Sequence, residues 1–337
     1  MERAFHEVHL GTLPIRDLGL AIEGTRLEPL VDAFRAELAA VGLKRIVPRF
    51  YLSTEWGVPF GTIAIAIPFY LARPELAKLH VERTGMIEGF DEREFLRYLR
   101  HEMGHVVSYA YKLYERREWV QAFGAITQPY VEEYRPQPFS RRFVRHLPGW
   151  YAQKHPDEDW AETFAVWMTP APEAKNDWRG EYKDRPTALG KLELCEQLMR
   201  EIADAPPLVT DVELDEDVAD VALSLDDFYR GWDANMPDAP PGLEGALRAV
   251  FSSARGGELR EGAGLLKRLE STLATEIYRW TGHFPERARP LLRQLAERAA
   301  RLELRYPAAD EPRVIVALTA LVTALAMNHV HHGSYLP

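Results

Sequence analysis

Residues 91–111, DEREFLRYLRHEMGHVVSYAY, read as a single amphipathic helix around which the rest of the chain can be placed. Asp91 suits the N-cap, and Glu92 and Glu94 favour the positive end of the helix dipole. Phe95, Leu96, Leu99, Met103, Val106, Val107 and Ala110 then recur at helical spacing. Inside this helix, His101-Glu102-Met103-Gly104-His105 sets two imidazoles four residues apart. They therefore share one face and can turn ring nitrogens toward one metal ion. Glu102 stands beside them, where its carboxylate can reach a water on the metal's open coordination position. Gly104 costs about 1 kcal/mol of helix propensity, and its missing side chain leaves room for close packing.

A site of this kind needs a third protein ligand. Residues 155–168, HPDEDWAETFAVWM, begin like a second helix. Pro156 fits the first helical position, Asp157, Glu158 and Asp159 suit the first turn, and Trp160, Phe164 and Trp167 form an apolar stripe. Glu162 stands 57 residues beyond His105 in the apolar part of this stretch. A carboxylate there is costly to bury unless a cation pairs with it, so Glu162 is the expected third ligand. Asp159, three residues earlier on the same face, is the alternative. Asp159 or Glu158 would then accept a hydrogen bond from a ligating imidazole.

The two motifs together resemble the glutamate-type zincins, specifically bacterial zinc-binding metallopeptidases whose second motif reads H-P-x-E-D-[WF]-A-E-[TS]. More distantly, the chain is similar to the protease domain of anthrax lethal factor. The resemblance spans roughly residues 43–200 and is specific at the two motifs. It implies an α+β, zincin-like domain with a small mixed sheet, one Zn2+ per chain held by His101, His105 and Glu162, and Glu102 as general base in peptide-bond hydrolysis. Lethal-factor-like enzymes carry an oxyanion-stabilising tyrosine seven residues before the ligand glutamate. His155 occupies that position here and can donate the same hydrogen bond, with Tyr151, one helical turn earlier, as the substitute.

Upstream, 43–53 and 62–70 read as strands, the second alternating β-branched and small residues through Thr62-Ile63-Ala64-Ile65-Ala66-Ile67. Pro68 marks an edge, because proline cannot donate to a ladder. This strand is accordingly the candidate for pairing with an extended peptide substrate. Residues 26–41 form an amphipathic helix stopped by Gly42. The segment 115–150, with Pro129, Pro136, Pro138 and the basic pair Arg141-Arg142, reads as a loop that covers the cleft or faces solvent.

A helix over 187–203 closes the metallopeptidase domain, taken as 1–204. An acidic, proline-rich linker follows over 205–240, interrupted by Pro206, Pro207, Pro237, Pro240 and Pro241. The C-terminal region, 241–337, reads as all-helical, with helices near 242–254, 259–280, 285–304 and 311–330. Its apolar run 314–326 is too short to span a bilayer and reads as a buried helix. His329, His331 and His332 sit at a fraying end with poor spacing for a fixed metal site.

A net charge of −10 disfavours nucleic acid as a partner and favours basic or neutral peptides. The single Cys195 excludes an internal disulfide framework and reads as a core thiol. No signal peptide or membrane span is visible, so a cytoplasmic protein is expected. Its partner is a peptide or protein substrate, and the sequence does not fix the oligomeric state. Two other functions fit the same residues: a regulatory or binding protein that keeps the metal without broad proteolysis, and an effector protease with one target. Glu102 favours catalysis, since a structural metal needs no base beside it.

Overall fold

The computed structural model describes residues 11–84, 86–130, 134–137, 139–170, 177–230, 242–251 and 258–335. Pro138, Pro237, Pro240 and Pro241 lie outside the described residues. The chain divides into two units, the first made of Met1–Glu82, Ile87–Leu147 and Tyr151–Gly231, the second of Arg83–Met86, Pro148–Trp150 and Trp232–Pro337.

In chain order the main elements of the first unit are α1 (Leu27–Ala40), β1 (Arg49–Ser53), β2 (Ala64–Pro68), α2 (Pro74–Thr84), α3 (Glu92–Ala110), α4 (Arg117–Phe123), α5 (Pro156–Met168), α6 (Trp178–Tyr182), α7 (Pro186–Ile202) and α8 (Leu225–Arg230). The histidine-bearing helix is α3. Its N-terminus is closed by the Asp91 carboxylate, which accepts from the Glu94 N–H at 2.8 Å. Phe95, Leu99, Met103, Val106 and Val107 are fully buried along one side. On another side Arg100, wholly buried, donates in bidentate fashion to Glu37 of α1, with both contacts at 2.8 Å. At the C-terminus the Ala110 carbonyl receives the N–H groups of Leu208 and Val209, at 2.8 and 3.1 Å.

Helices α3 and α5 pack directly on each other. A Cβ on Gly104 would stand 2.7 Å from the Ala161 Cα, so only glycine permits this approach. Trp160 seals the same spot, its indole N–H donating to the Gly104 carbonyl at 2.8 Å. Behind α5 lie α4 and α7, and buried Cys195 sits in the core that α7 helps to build.

Strands β1 and β2 form a two-stranded parallel pair, with Arg49 opposite Ala64 and Ser53 opposite Pro68. The first strand is shorter than the sequence suggests. Strand β2 also does not offer the open edge expected for substrate. The Ala66 N–H is taken by the Gly57 carbonyl at 2.8 Å and the Ala64 N–H by Thr62 Oγ1 at 3.3 Å. Loop residues thus fill the place a peptide would need.

The expected linker needs a second correction, because its described part, 205–230, is stitched to the first unit. Ile63 N–H donates to the Asp211 carbonyl at 2.7 Å, Val218 N–H to Leu52 at 3.0 Å and Ile15 N–H to Leu223 at 2.9 Å. Acidic side chains on this stretch face outward while its backbone completes the fold.

The second unit contains α9 (Glu244–Val250), β3 (Leu259–Glu261), α10 (Gly262–Thr281), α11 (Pro285–Arg301), β4 (Arg305–Pro307) and α12 (Glu311–His332). It is not all-helical: β3 and β4 pair antiparallel. Helix α12 is longer than its apolar run implies. The helical segment Ala308–His332 is long and apolar enough to cross a membrane by length and composition, at a mean hydropathy of 1.7, and 33% of its most apolar window is buried. Its Val314, Leu318, Val322, Leu325 and Ala326 pack into the second unit's core together with Leu266, Leu291 and Leu295. Near its end His329 stacks on Tyr335 at 4.4 Å, while His331 and His332 are exposed.

Candidate metal centre

Helix α3 turns both imidazoles toward α5. His101 Nε2 and His105 Nε2 lie 3.3 Å apart, and Glu158 Oε2 stands 3.0 Å from the first and 3.4 Å from the second. All three side chains are buried, and among the described residues they are the one group of three potential ligands that converges. The far sides of the rings meet other acids. His101 Nδ1 is 3.1 Å from Glu162 Oε1. His105 Nδ1 is 3.0 Å from Asp157 Oδ2, though off the line a hydrogen bond requires.

These outer carboxylates are themselves anchored. Glu162, with no exposed surface, accepts from the backbone N–H of His146 at 2.6 Å and of Leu147 at 2.9 Å. The Tyr109 hydroxyl donates to Asp157 Oδ2 at 2.5 Å. His101 Nδ1 faces Glu162 at hydrogen-bond distance and His105 Nδ1 lies beside Asp157, so both imidazoles keep Nε2 toward the interior of the cluster, as a metal-ligating histidine does.

Two inward lone pairs and a carboxylate at this distance repel unless something positive sits among them. Burial opposes a proton on His101, yet Glu158 and Glu162 outweigh it and hold the imidazole at about 9. Burial likewise opposes charge on His105, and Asp157 and Glu158 carry it well above its ordinary value. Burial would raise the Glu158 carboxyl, but the two histidines pull it well below the usual range. The pocket therefore stabilises positive charge between the rings. The 3.0–3.4 Å spacing is also close to that of zinc ligands, since 2.0–2.2 Å bonds in a tetrahedron separate ligand atoms by roughly 3.3–3.6 Å. A metal ion in place of the protons fits this donor set.

Glu102, also buried, has no hydrogen-bond partner among the described residues. Burial raises its carboxyl and the neighbouring imidazoles draw it back down. Such a group is poised to accept a proton.

The structure brings together His101, Glu102 and His105 and gives the other candidates different partners. Glu162, the expected third ligand, faces the outer nitrogen of His101 and the 146–147 backbone, so Glu158 stands where it was expected. Asp159, the alternative, is drawn the other way into a buried ion pair with Lys191. His155 is not available as an oxyanion donor. Its Nδ1 accepts from the Asp157 N–H at 3.2 Å, capping α5, and its Nε2 donates to the Gln128 carbonyl at 3.0 Å. Tyr151 remains near the centre, its ring 5.6 Å from that of His101. Sequence reasoning missed Tyr130, whose hydroxyl donates to Glu158 Oε1 at 2.7 Å and lies 3.4 Å from the Tyr151 hydroxyl. Nothing in its local sequence distinguishes Tyr130 from a loop aromatic.

What two helices assemble here is a buried cluster of two imidazoles and a carboxylate that could hold a metal ion, with an acid beside it. Residues 58–176, about a third of the chain, match the family model described as "Putative zinc-binding metallo-peptidase". The match contains both motifs and bears out the zinc-metallopeptidase resemblance drawn from them. No curated protein and no solved structure matches the chain.

Proposed function

We propose that the chain is a zinc-dependent peptidase with one Zn2+ held by His101, His105 and Glu158, acting in the cytoplasm on a peptide or protein substrate. The observation that carries this reading is the meeting of His101 Nε2, His105 Nε2 and Glu158 Oε2 within 3.4 Å while the outer nitrogens face Glu162 and Asp157. Bound there, zinc would supply a Lewis acid that acidifies water and polarises a carbonyl. Glu102 takes the proton from the attacking water and returns it to the departing amine. The raised Glu102 carboxyl suits both halves of that transfer. Tyr151, near His101 and outside the helix cap that holds His155, is the candidate donor for a developing oxyanion, its hydroxyl proton turning from the Tyr130 oxygen 3.4 Å away to the substrate.

Metal analysis of the purified protein should give one zinc per chain, lost in Glu158→Ala. Glu102→Gln should retain zinc and cleave a peptide library about 10²–10⁴-fold more slowly. Undiminished cleavage by Glu102→Gln, or full zinc in Glu158→Ala, would remove the assignment.

A further inference from the structure

The two oxygens of Glu158 face different partners. Oε2 points at the two Nε2 atoms, while Oε1 accepts the hydroxyl of Tyr130 at 2.7 Å. Tyr130 has one proton to give and spends it on Glu158, so the 3.4 Å contact with Tyr151 has Tyr151 as donor. The ring is held on several sides. The Lys154 ammonium lies 4.3 Å from its centroid, the His155 ring is 5.3 Å away, and His155 Nε2 grips the Gln128 carbonyl two residues earlier. The cap of helix α5 thus anchors the segment that delivers Tyr130.

We propose that Tyr130 is a positioning residue that confines Glu158 to one ligating oxygen. The proposal rests on Glu158 being the third ligand. A carboxylate can bind a metal through one oxygen or both. With both it would stand beside the water as a fifth donor, crowding the position that a catalytic zinc must keep open for substrate. A phenol hydrogen bond to Oε1 ties up that oxygen and aims Oε2, so the site stays three-liganded. Partners of this type are as much part of a metal site as the ligands.

The test uses Tyr130→Phe in the full chain, a substitution that keeps the ring and its contact with Lys154 at a residue 47% exposed. Cobalt(II) replaces zinc as probe, because its visible absorption is intense when four-coordinate and several-fold weaker when five-coordinate. Zinc affinity is read by competition with a chromophoric chelator, and melting of the metal-free protein controls for folding. The expected result is unchanged metal-free melting, a several-fold loss of cobalt absorption and a roughly 10–100-fold loss of zinc affinity. An unchanged cobalt spectrum in Tyr130→Phe overturns the proposal. Glu158→Gln run in parallel separates the two claims, since wild-type affinity in that variant would defeat the ligand assignment itself.

Discussion

Four acids within two turns of α5 have four different fates, set by what each side chain meets. Asp157 meets Tyr109 and the outer face of His105, Glu158 the inner nitrogens, Asp159 the Lys191 ammonium, and Glu162 two backbone N–H groups with the outer nitrogen of His101. Glu162→Ala should therefore lower zinc affinity about 10–100-fold by releasing His101, whereas Glu158→Ala removes a ligand and should leave no zinc bound through gel filtration. Equal losses in a competition titration would contradict that division of labour. Away from the metal, His80 stacks on Tyr70 at 3.6 Å and its Nδ1 meets the Tyr229 hydroxyl at 3.1 Å. Burial pushes it down from 6.5 to about 4. A buried neutral histidine of lowered pKa stabilises fully above its unfolded value, and that stability is lost as pH falls from 6.5 toward 4. Between pH 7 and pH 5 the His80 contribution falls by about 2 kcal/mol. Urea unfolding of His80→Gln should show a shallower decline over that interval, and an identical slope would refute the assignment.

At the scale of elements, α3 and α5 were legible because their signals are local. Asp91 caps one helix, Pro156 starts the other, and apolar spacing marks the buried faces. Which carboxylate of α5 converges with the two inner imidazole nitrogens was not legible. Glu158 and Glu162 lie one turn apart on one face, and the choice is made by the N–H groups of His146 and Leu147, whose position no helical periodicity encodes. The closed edge of β2 escaped for a similar reason, since the return of Gly57 and the Thr62 hydroxyl fill it. The contact between α3 and α5 can be probed at Gly104. Gly104→Ala gains helix propensity of about 1 kcal/mol, but its Cβ meets Ala161 backbone at 2.7 Å and must force the helices apart. The net result should be a loss of about 1–3 kcal/mol with weakened zinc binding, and a more stable variant would show that the helices can separate freely. On another side of α3, Glu37→Ala removes the carboxylate that the buried Arg100 guanidinium holds through two 2.8 Å contacts, at a cost of about 3–5 kcal/mol in chemical denaturation.

Across the whole molecule, composition misled where chain path mattered. The acidic, proline-rich stretch after Ala205 looks like a linker, yet its backbone caps α3 and borders β1, so the first unit extends to Gly231. Two separate apolar cores result, one gathered around Leu99, Val106 and Phe164 and the other around Leu291, Leu295 and Leu318. Every residue of the metal cluster belongs to the first. Zinc at about 100 times its dissociation constant adds about 2.7 kcal/mol to whatever folds with the site. Leu318→Ala removes about 2–5 kcal/mol from the other core. Calorimetry should then show chelation lowering one transition and Leu318→Ala lowering a different one. A single transition moved by both would mean that the two cores unfold as one, and that the metal stabilises the entire chain rather than the unit that binds it.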